Sequence, residues 1–594
     1  MTTITTHYTS TQPIVELDRV SFSYLGSDRE VLQNVSLTID SGDFVLVLGS
    51  SGSGKSTFAM LLNGLIPHSI PGQLDGTVKI DGLLTMKTPV HELATRVGMV
   101  FQDPDAQIVN VLVQDEINFG MENLRWDENV IKMKAKQAMS QLGIEHLVGR
   151  NVMSLSGGQK QKVVLASVLA LEPKILVLDE PTANLDPLGT KEVFDVIGHL
   201  NHEHNITVVL IENRVDELVD LVNRVVLLEN GTISLNGPPG EVYRKLRGRT
   251  GLWLPQVTEM AMRYSSETLQ LPMTVQEGCD FLVNGINHLQ WQLKPEIDQQ
   301  ASILKTSEPL LEVKNLQFQY HIKLPLVLKK ISFKIESGGI VAIVGQNGSG
   351  KTTLARLLVR ILNPPVGTVF LNTQDIRHLS VKDVSSQIGY VFQNPDHQFV
   401  SDTVYDELAY SLRIHGFSEA EVEEKTREMI LRMDLQGKEQ TSPFSLSVGE
   451  RRRLSVGTML ILNQKLVILD EPTIGLDPSH SHALMALLAQ LAKEFGHTML
   501  LITHDMRLVA DWTSHTIVLN QGEILFDGET REVFQDSMLL REAHLTEPPI
   551  AKVVHRLRYI VPDFPHDIVS LAQLERIMPL NVQSMYERRT DYGS

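Results

Sequence analysis

Two nine-residue strings have the composition of an anion cradle: GSSGSGKST at 49–57 and GQNGSGKTT at 345–353. Gly49, Gly52 and Gly54, and again Gly345, Gly348 and Gly350, let backbone N–H groups turn inward around phosphate. Lys55 and Lys351 add a positive charge, and Ser56 and Thr352 offer hydroxyls to Mg²⁺. Ser50, Ser51, Ser53 and Thr57 complete the first loop; Gln346, Asn347, Ser349 and Thr353 complete the second. Downstream, ILVLDEPT (175–182) and LVILDEPT (466–473) are apolar runs that end in paired acids. Asp179 and Asp470 stand where Mg²⁺ would be held, and Glu180 and Glu471 where a general base could polarise an attacking water. A single glycine-rich turn is more often plain loop. Two of them, each followed by the same acid strand, predict hydrolysis of a nucleoside triphosphate.

Elements that could position these groups are visible around them. Each loop follows a short β-branched run, FVLVLG or IVAIVG, and precedes a helical pattern, which implies α/β units with buried parallel strands. Segments 104–155 and 395–446 are helix-like and read as inserted helical subdomains. With 594 residues the chain exceeds one ordinary core, and 42% apolar with 21% charged residues suits globular folding. Its longest apolar runs are far shorter than the roughly twenty residues of a membrane-spanning helix, and the stretch MTTITTHYTSTQP has no signal-peptide character. One cysteine, Cys279, excludes an intrachain disulfide framework and suits a reducing cytoplasm. A net charge of −18 repels nucleic acid, so no nucleic-acid partner is expected.

The chain is an internal repeat. Lys55 pairs with Lys351 at an offset of 296, and Gln102 with Gln393, Asp179 with Asp470 and Asn213 with His504 at 291. The change falls where the first copy has the longer NGLIPHSIPGQLDGTVKIDG. Similarity continues into LPQVTEMAMRY (254–264) and EPPIAKVVHRL (547–557), so each half carries its own appendage. The expected boundaries are 12–245 for the first nucleotide domain, 246–307 for its extension and linker, 308–540 for the second domain and 541–594 for its extension. The linker itself is placed at 294–309, KPEIDQQASILKTSEP.

These ordered parts make the chain resemble tandem ATP-binding cassette proteins almost end to end. The resemblance implies two P-loop ATPase domains that bind ATP and Mg²⁺ and pair within one chain. It assigns Tyr24 and Tyr320 to adenine stacking, Gln102 and Gln393 to the metal and the attacking water, and His504 to the γ-phosphate. It further implies that the signature turn of each cassette (Ser156, Gly157, Gly158 and Gln159 in SLSGGQ; Ser447 and Gly449 in SLSVGE) covers nucleotide on the other. Two departures map onto the pocket built on Lys55. Val448 and Glu450 replace a glycine and an amide of the signature, adding bulk and charge. Asn213 occupies the histidine position. The Lys351 pocket is therefore expected to hydrolyse fast and the Lys55 pocket slowly.

The segments after each glutamine and the two appendages resemble the ATPases of energy-coupling-factor importers of vitamins, cobalt or nickel. That resemblance implies peripheral attachment to the cytoplasmic face of the membrane, through a transmembrane coupling protein and a substrate-binding membrane subunit. Asp103, Asp105, Asp115, Glu116, Asp396, Asp406 and Glu407 are candidate acceptors for the coupling protein's arginines. Two other readings remain open here: the tandem ATPase of a sugar importer, and a soluble tandem cassette acting on ribosomes. The acidic chain and short polar linker weigh against the latter.

Overall fold

A computed structural model describes residues 13–27, 29–183, 185–249, 251–265, 270–287, 309–561, 564–565 and 567–579. The predicted linker falls almost wholly outside the described residues, as does Asn184 of the loop that follows the first acid pair. The chain divides into two compact units, Met1–Thr258 with Glu267–Thr274 and Glu259–Ser266 with Val275–Ser594.

Each unit contains a six-stranded sheet with the same internal order. In the first, the strands run Thr232–Gly237, Arg224–Glu229, Phe44–Leu48, Thr207–Ile211, Ile175–Asp179, Val97–Val100, all parallel except the outermost Thr232–Gly237. In the second, Ile388–Val391, Leu466–Asp470, Thr498–Ile502, Gly339–Val344 and His515–Asn520 are parallel and Glu523–Glu529 closes the edge antiparallel. Phe44–Leu48 is buried at every position, as a parallel strand covered on both faces must be. A separate four-stranded antiparallel sheet flanks each, built on Val15–Tyr24 and on Leu311–Phe318.

Strand order decides the chemistry. The phosphate-loop strand lies beside the strand that ends at Ile211 or Ile502, and that strand lies beside the acid strand. All run parallel, so the loop, the acid pair and the segment that carries Asn213 or His504, the switch segment, emerge together at the carboxyl edge, where ligands of such sheets bind.

The inserted segments are helical as expected: Val113–Asn123 and Glu128–Gln141 in the first unit, Val404–His415 and Glu419–Arg432 in the second. The core of the second subdomain (Leu408, Val422 and Met429 among others) is continuous with the sheet through Leu469 and Leu501. Within the second unit, helix Val275–Asn287 lies against helix Pro549–Leu557, where Arg556 donates to Gln276 Oε1 at 2.7 Å. Arg263 bridges to Glu575 at 2.9 Å. No described helix is long and apolar enough to cross a membrane.

Candidate active site

Both glycine-rich loops have the backbone that a phosphate cradle demands. Gly54 and Gly350 sit at φ 103° and 105° directly before helices Lys55–Leu62 and Lys351–Leu358, and Gly52 and Gly348 at 76° and 80°. A Cβ on Gly49 would fall 2.3 Å from the Leu228 carbonyl oxygen, and one on Gly345 2.0 Å from that of Leu519. Lys55 donates to the carbonyls of Gly49 and Ser50 at 2.8 and 2.9 Å; Lys351 does the same to Gly345 and Gln346 at 2.7 and 2.9 Å. Each ammonium is thus held over its own loop. The Ser53 and Ser349 hydroxyls are buried and find no partner among the described residues. An oxyanion inside the loop would supply what these hydroxyls lack, so both cradles fit a polyphosphate.

Beside each loop a hydroxyl meets a carboxylate. Ser56 hydrogen-bonds Asp179, and Thr352 hydrogen-bonds Asp470, which also accepts from Tyr390 Oη at 2.8 Å. Burial pushes both aspartates above the usual carboxylate range, opposed by these hydroxyls and the nearby lysine. A desolvated carboxylate beside a hydroxyl suits a hard divalent cation. Tyr24 Oη lies 2.8 Å from Thr57 Oγ1 and Tyr320 Oη 3.0 Å from Thr353 Oγ1, so both tyrosines anchor on the phosphate-loop helix. Tyr320 stays half exposed, leaving ring surface for a planar ligand.

The two candidate bases share a backbone and differ in company. Glu180 and Glu471 adopt left-handed φ of 45° and 49°, and each donates its N–H to the last residue of the neighbouring strand, Ile211 or Ile502, at 2.8 Å. Such strain in a non-glycine residue concentrates at functional sites. Glu471 receives His504 Nδ1 on Oε1 at 2.5 Å and Thr503 Oγ1 on Oε2 at 3.0 Å. Burial opposes its ionisation, but the His504 ring and Lys351 outweigh that and hold its carboxyl below the usual range. Glu180 receives Asn213 Nδ2 on Oε1 at 3.0 Å and Gln102 Nε2 on Oε2 at 2.9 Å. Burial, then the neighbouring Glu212 and Asp179 carboxylates, push it up to about 7.

Glu212 is a residue that sequence reasoning missed. It is 3% exposed, and at the repeat offset it stands where the second unit has Thr503. The contrast IEN against ITH was legible. Only the fold shows that the glutamate is turned inward beside Glu180.

Gln102 is brought to Glu180. The Gln393 backbone is instead pinned by Arg452, which donates to the carbonyls of Phe392 and Gln393 at 2.9 and 2.8 Å; burial pushes this guanidinium down to about 10.

At the signature turns the structure corrects the sequence reading. Val448 is the first helical residue of Val448–Leu460, with no positive φ, and its side chain packs on the helical-subdomain core, so the β-branch carries no backbone strain. Glu450 folds back to accept from Ser447 N at 2.8 Å, while Ser447 Oγ accepts from Glu450 N at 3.3 Å. Gln159 and Ser156 make the same reciprocal pair at 3.2 and 3.3 Å. Lys438 lies 3.5 Å from the Glu450 carboxylate. The exchange of amide for acid is thus absorbed by a capping box. A Cβ on Gly449 would lie 2.7 Å from the His480 ring, whereas one on Gly158 would meet nothing closer than 3.8 Å.

Of the acids named as arginine acceptors, Glu116 and Glu407 are buried. Their carboxylates accept from Val109 and Asn110, and from Val400 and Ser401, so they hold the loop ahead of their own helix rather than face a partner. Asp105, Asp396 and Asp406 are paired with Lys160, Arg451 and Arg413. Asp103 caps Asp105 N, and Asp115 is exposed.

Comparison with known proteins agrees with this geometry. The family described as ABC transporter matches residues 32–183 and 328–474. The chain belongs to the ABC transporter ATP-binding family. It is an ATPase with two ABC domains in tandem, and the ABC domains bind ATP. It is 37% identical to "Putative ABC transporter ATP-binding protein TTE1589" of Caldanaerobacter subterraneus, over 89% of this chain and 94% of that one. It is 34% identical to "Putative HMP/thiamine import ATP-binding protein YkoD" of Bacillus subtilis, over 90% and 95%. A solved structure titled as cbiO1 from Clostridium perfringens, part of the ABC transporter complex cbiONQ, is 28% identical over 43% of this chain and 96% of that one, with a TM-score of 0.38.

Proposed function

We propose that this ABC ATPase powers import of a small micronutrient, a vitamin, vitamin precursor or metal ion, through separate membrane subunits of the energy-coupling-factor kind. The relative named for HMP/thiamine import supports the reading, because it is similar over 90% of this chain and 95% of its own. The chain acts at the cytoplasmic face of the membrane, held there by a transmembrane coupling protein beside a substrate-binding subunit. Asp103 and Asp115 remain as acceptors for a basic segment of that coupling protein.

Mg²⁺ bound by Ser56 with Asp179, and by Thr352 with Asp470, would neutralise charge on the transferring phosphoryl group. Lys55 and Lys351 hold the phosphates, Tyr24 and Tyr320 the base, and Gln102 and Gln393 line the approach of water. Glu471, kept ionised by His504, takes the proton of the attacking water in the Lys351 pocket. In the Lys55 pocket Glu180 is held by two amides with no imidazole donor to orient it, so that pocket binds ATP and turns over slowly. The observation that carries this inequality is the pair of donors on Glu471, one of them an imidazole, against two amides on Glu180.

Affinity purification of the full chain from detergent-solubilised membranes tests the transport reading. A stoichiometric integral membrane coupling protein with a small substrate-binding membrane subunit is expected. Recovery with ribosomes, or with a sugar permease, would overturn it.

A further inference from the structure

We propose that Glu212 is a positioning residue that clamps the switch segment of the first unit to its acid strand and so keeps the Lys55 pocket slow. The inference rests on the reading that the two pockets are unequal, and it names the group responsible.

The Glu212 carboxylate joins two segments. Its Oε2 accepts from Thr182 Oγ1 at 2.6 Å, three residues beyond Asp179, and Thr182 is fully buried. Its Oε1 accepts from the backbone N–H groups of Asn213 at 2.8 Å and Arg214 at 3.3 Å. The Arg214 guanidinium continues the chain of contacts, donating to Thr190 Oγ1 at 2.5 Å and to the Leu185 carbonyl at 3.1 Å. One buried carboxylate thus fixes the end of the acid strand and two consecutive peptides of the switch segment. Charge-assisted bonds of this kind are among the stronger ones, and removing their acceptor leaves buried donors unmade.

Thr503 does something different at the corresponding place. Its hydroxyl gives its proton to Glu471 Oε2 and accepts only one switch N–H, that of Asp505 at 3.0 Å. A hydroxyl can donate to a base and accept from the backbone at once, whereas a carboxylate only accepts. Glu212 therefore supplies no donor to Glu180, which takes one from Gln102 instead. The switch segment of the first unit is tied down by Glu212; that of the second is tied to its own base. Asn213 alone does not account for the difference, because the clamp holds its peptide before its side chain is considered.

Rapid-quench measurement of ATP hydrolysis by the full chain tests this in a Glu471→Gln background, which isolates the first pocket. Adding Glu212→Thr with Asn213→His is expected to raise the rate about tenfold, a partial return of the 10²–10³ that a positioned donor is worth. The ATP Kd should stay within about twofold of the parent, while the unfolding midpoint falls as the donors of Thr182, Asn213 and Arg214 lose their acceptor. A clamp that merely held the fold could not give a faster rate on removal. Glu212→Gln, which keeps the shape and weakens the acceptor, should give an intermediate gain of about threefold. If Glu471→Gln already leaves the wild-type rate, the unequal-pocket reading itself fails. If Glu471→Gln slows the chain but neither variant at 212 exceeds that parent while ATP binding is retained, the reading stands and the role of Glu212 is overturned.

Discussion

Glu180 and Glu471 have the same backbone angle, the same strand neighbour and the same preceding aspartate, yet their carboxyl groups are pushed in opposite directions. Duplication preserved what the strand order dictates. The difference lies one layer away, in the two residues that follow the adjacent strand: Glu212 and Asn213 in one unit, Thr503 and His504 in the other. A general base is defined as much by the groups that face it as by its own identity.

The largest effect expected from this comparison is at the switch position. His504→Ala should lower ATP turnover by about 10²-fold, since it removes the donor that keeps Glu471 ionised and oriented. Asn213→Ala should lower it by less than about threefold, and steady-state hydrolysis at saturating ATP compares the two. Equal losses would erase the distinction.

Stability should respond with opposite signs. The native Glu180 carboxyl lies at about 7 against an ordinary 4.5, so its contribution is intact below 4.5 and is lost as pH rises through 7. Glu180→Gln should then stabilise the ligand-free chain at pH 8 and change little at pH 4.5. Glu471 is depressed, so its contribution is present above 4.5 and is lost as pH falls. Glu471→Gln should destabilise at pH 8. The effect at Glu180 is on the order of 3 kcal/mol, and thermal unfolding at the two pH values reads the opposite signs of the two variants.

The smallest effect is expected where the sequence differs most visibly. Val448→Gly and Glu450→Gln, alone or together, should change turnover by less than about twofold, because Val448 is helical and Glu450 already occupies the capping position of Gln159. A large gain would return the asymmetry to the signature turn.

Much of this was legible before the fold. The two phosphate loops, the acid strands and the helical insertions follow from glycine spacing, apolar runs and repetition, which local physics fixes. Orientation was not legible. Glu116 and Glu407 look like solvated acids at the start of a helix, but each turns back on the preceding loop, which a pattern of residue types does not encode. Val448 looked damaging because it adds bulk in place of a glycine, whereas the position is an ordinary first turn of helix. Glu212 was hidden because its significance is the distance to a residue 32 positions earlier in the chain.

Single-turnover hydrolysis in Glu180→Gln and Glu471→Gln chains tests the central claim most directly. The account predicts a loss of 10²-fold or more for Glu471→Gln and less than about threefold for Glu180→Gln. Equal losses, or the larger loss at Glu180, would contradict it.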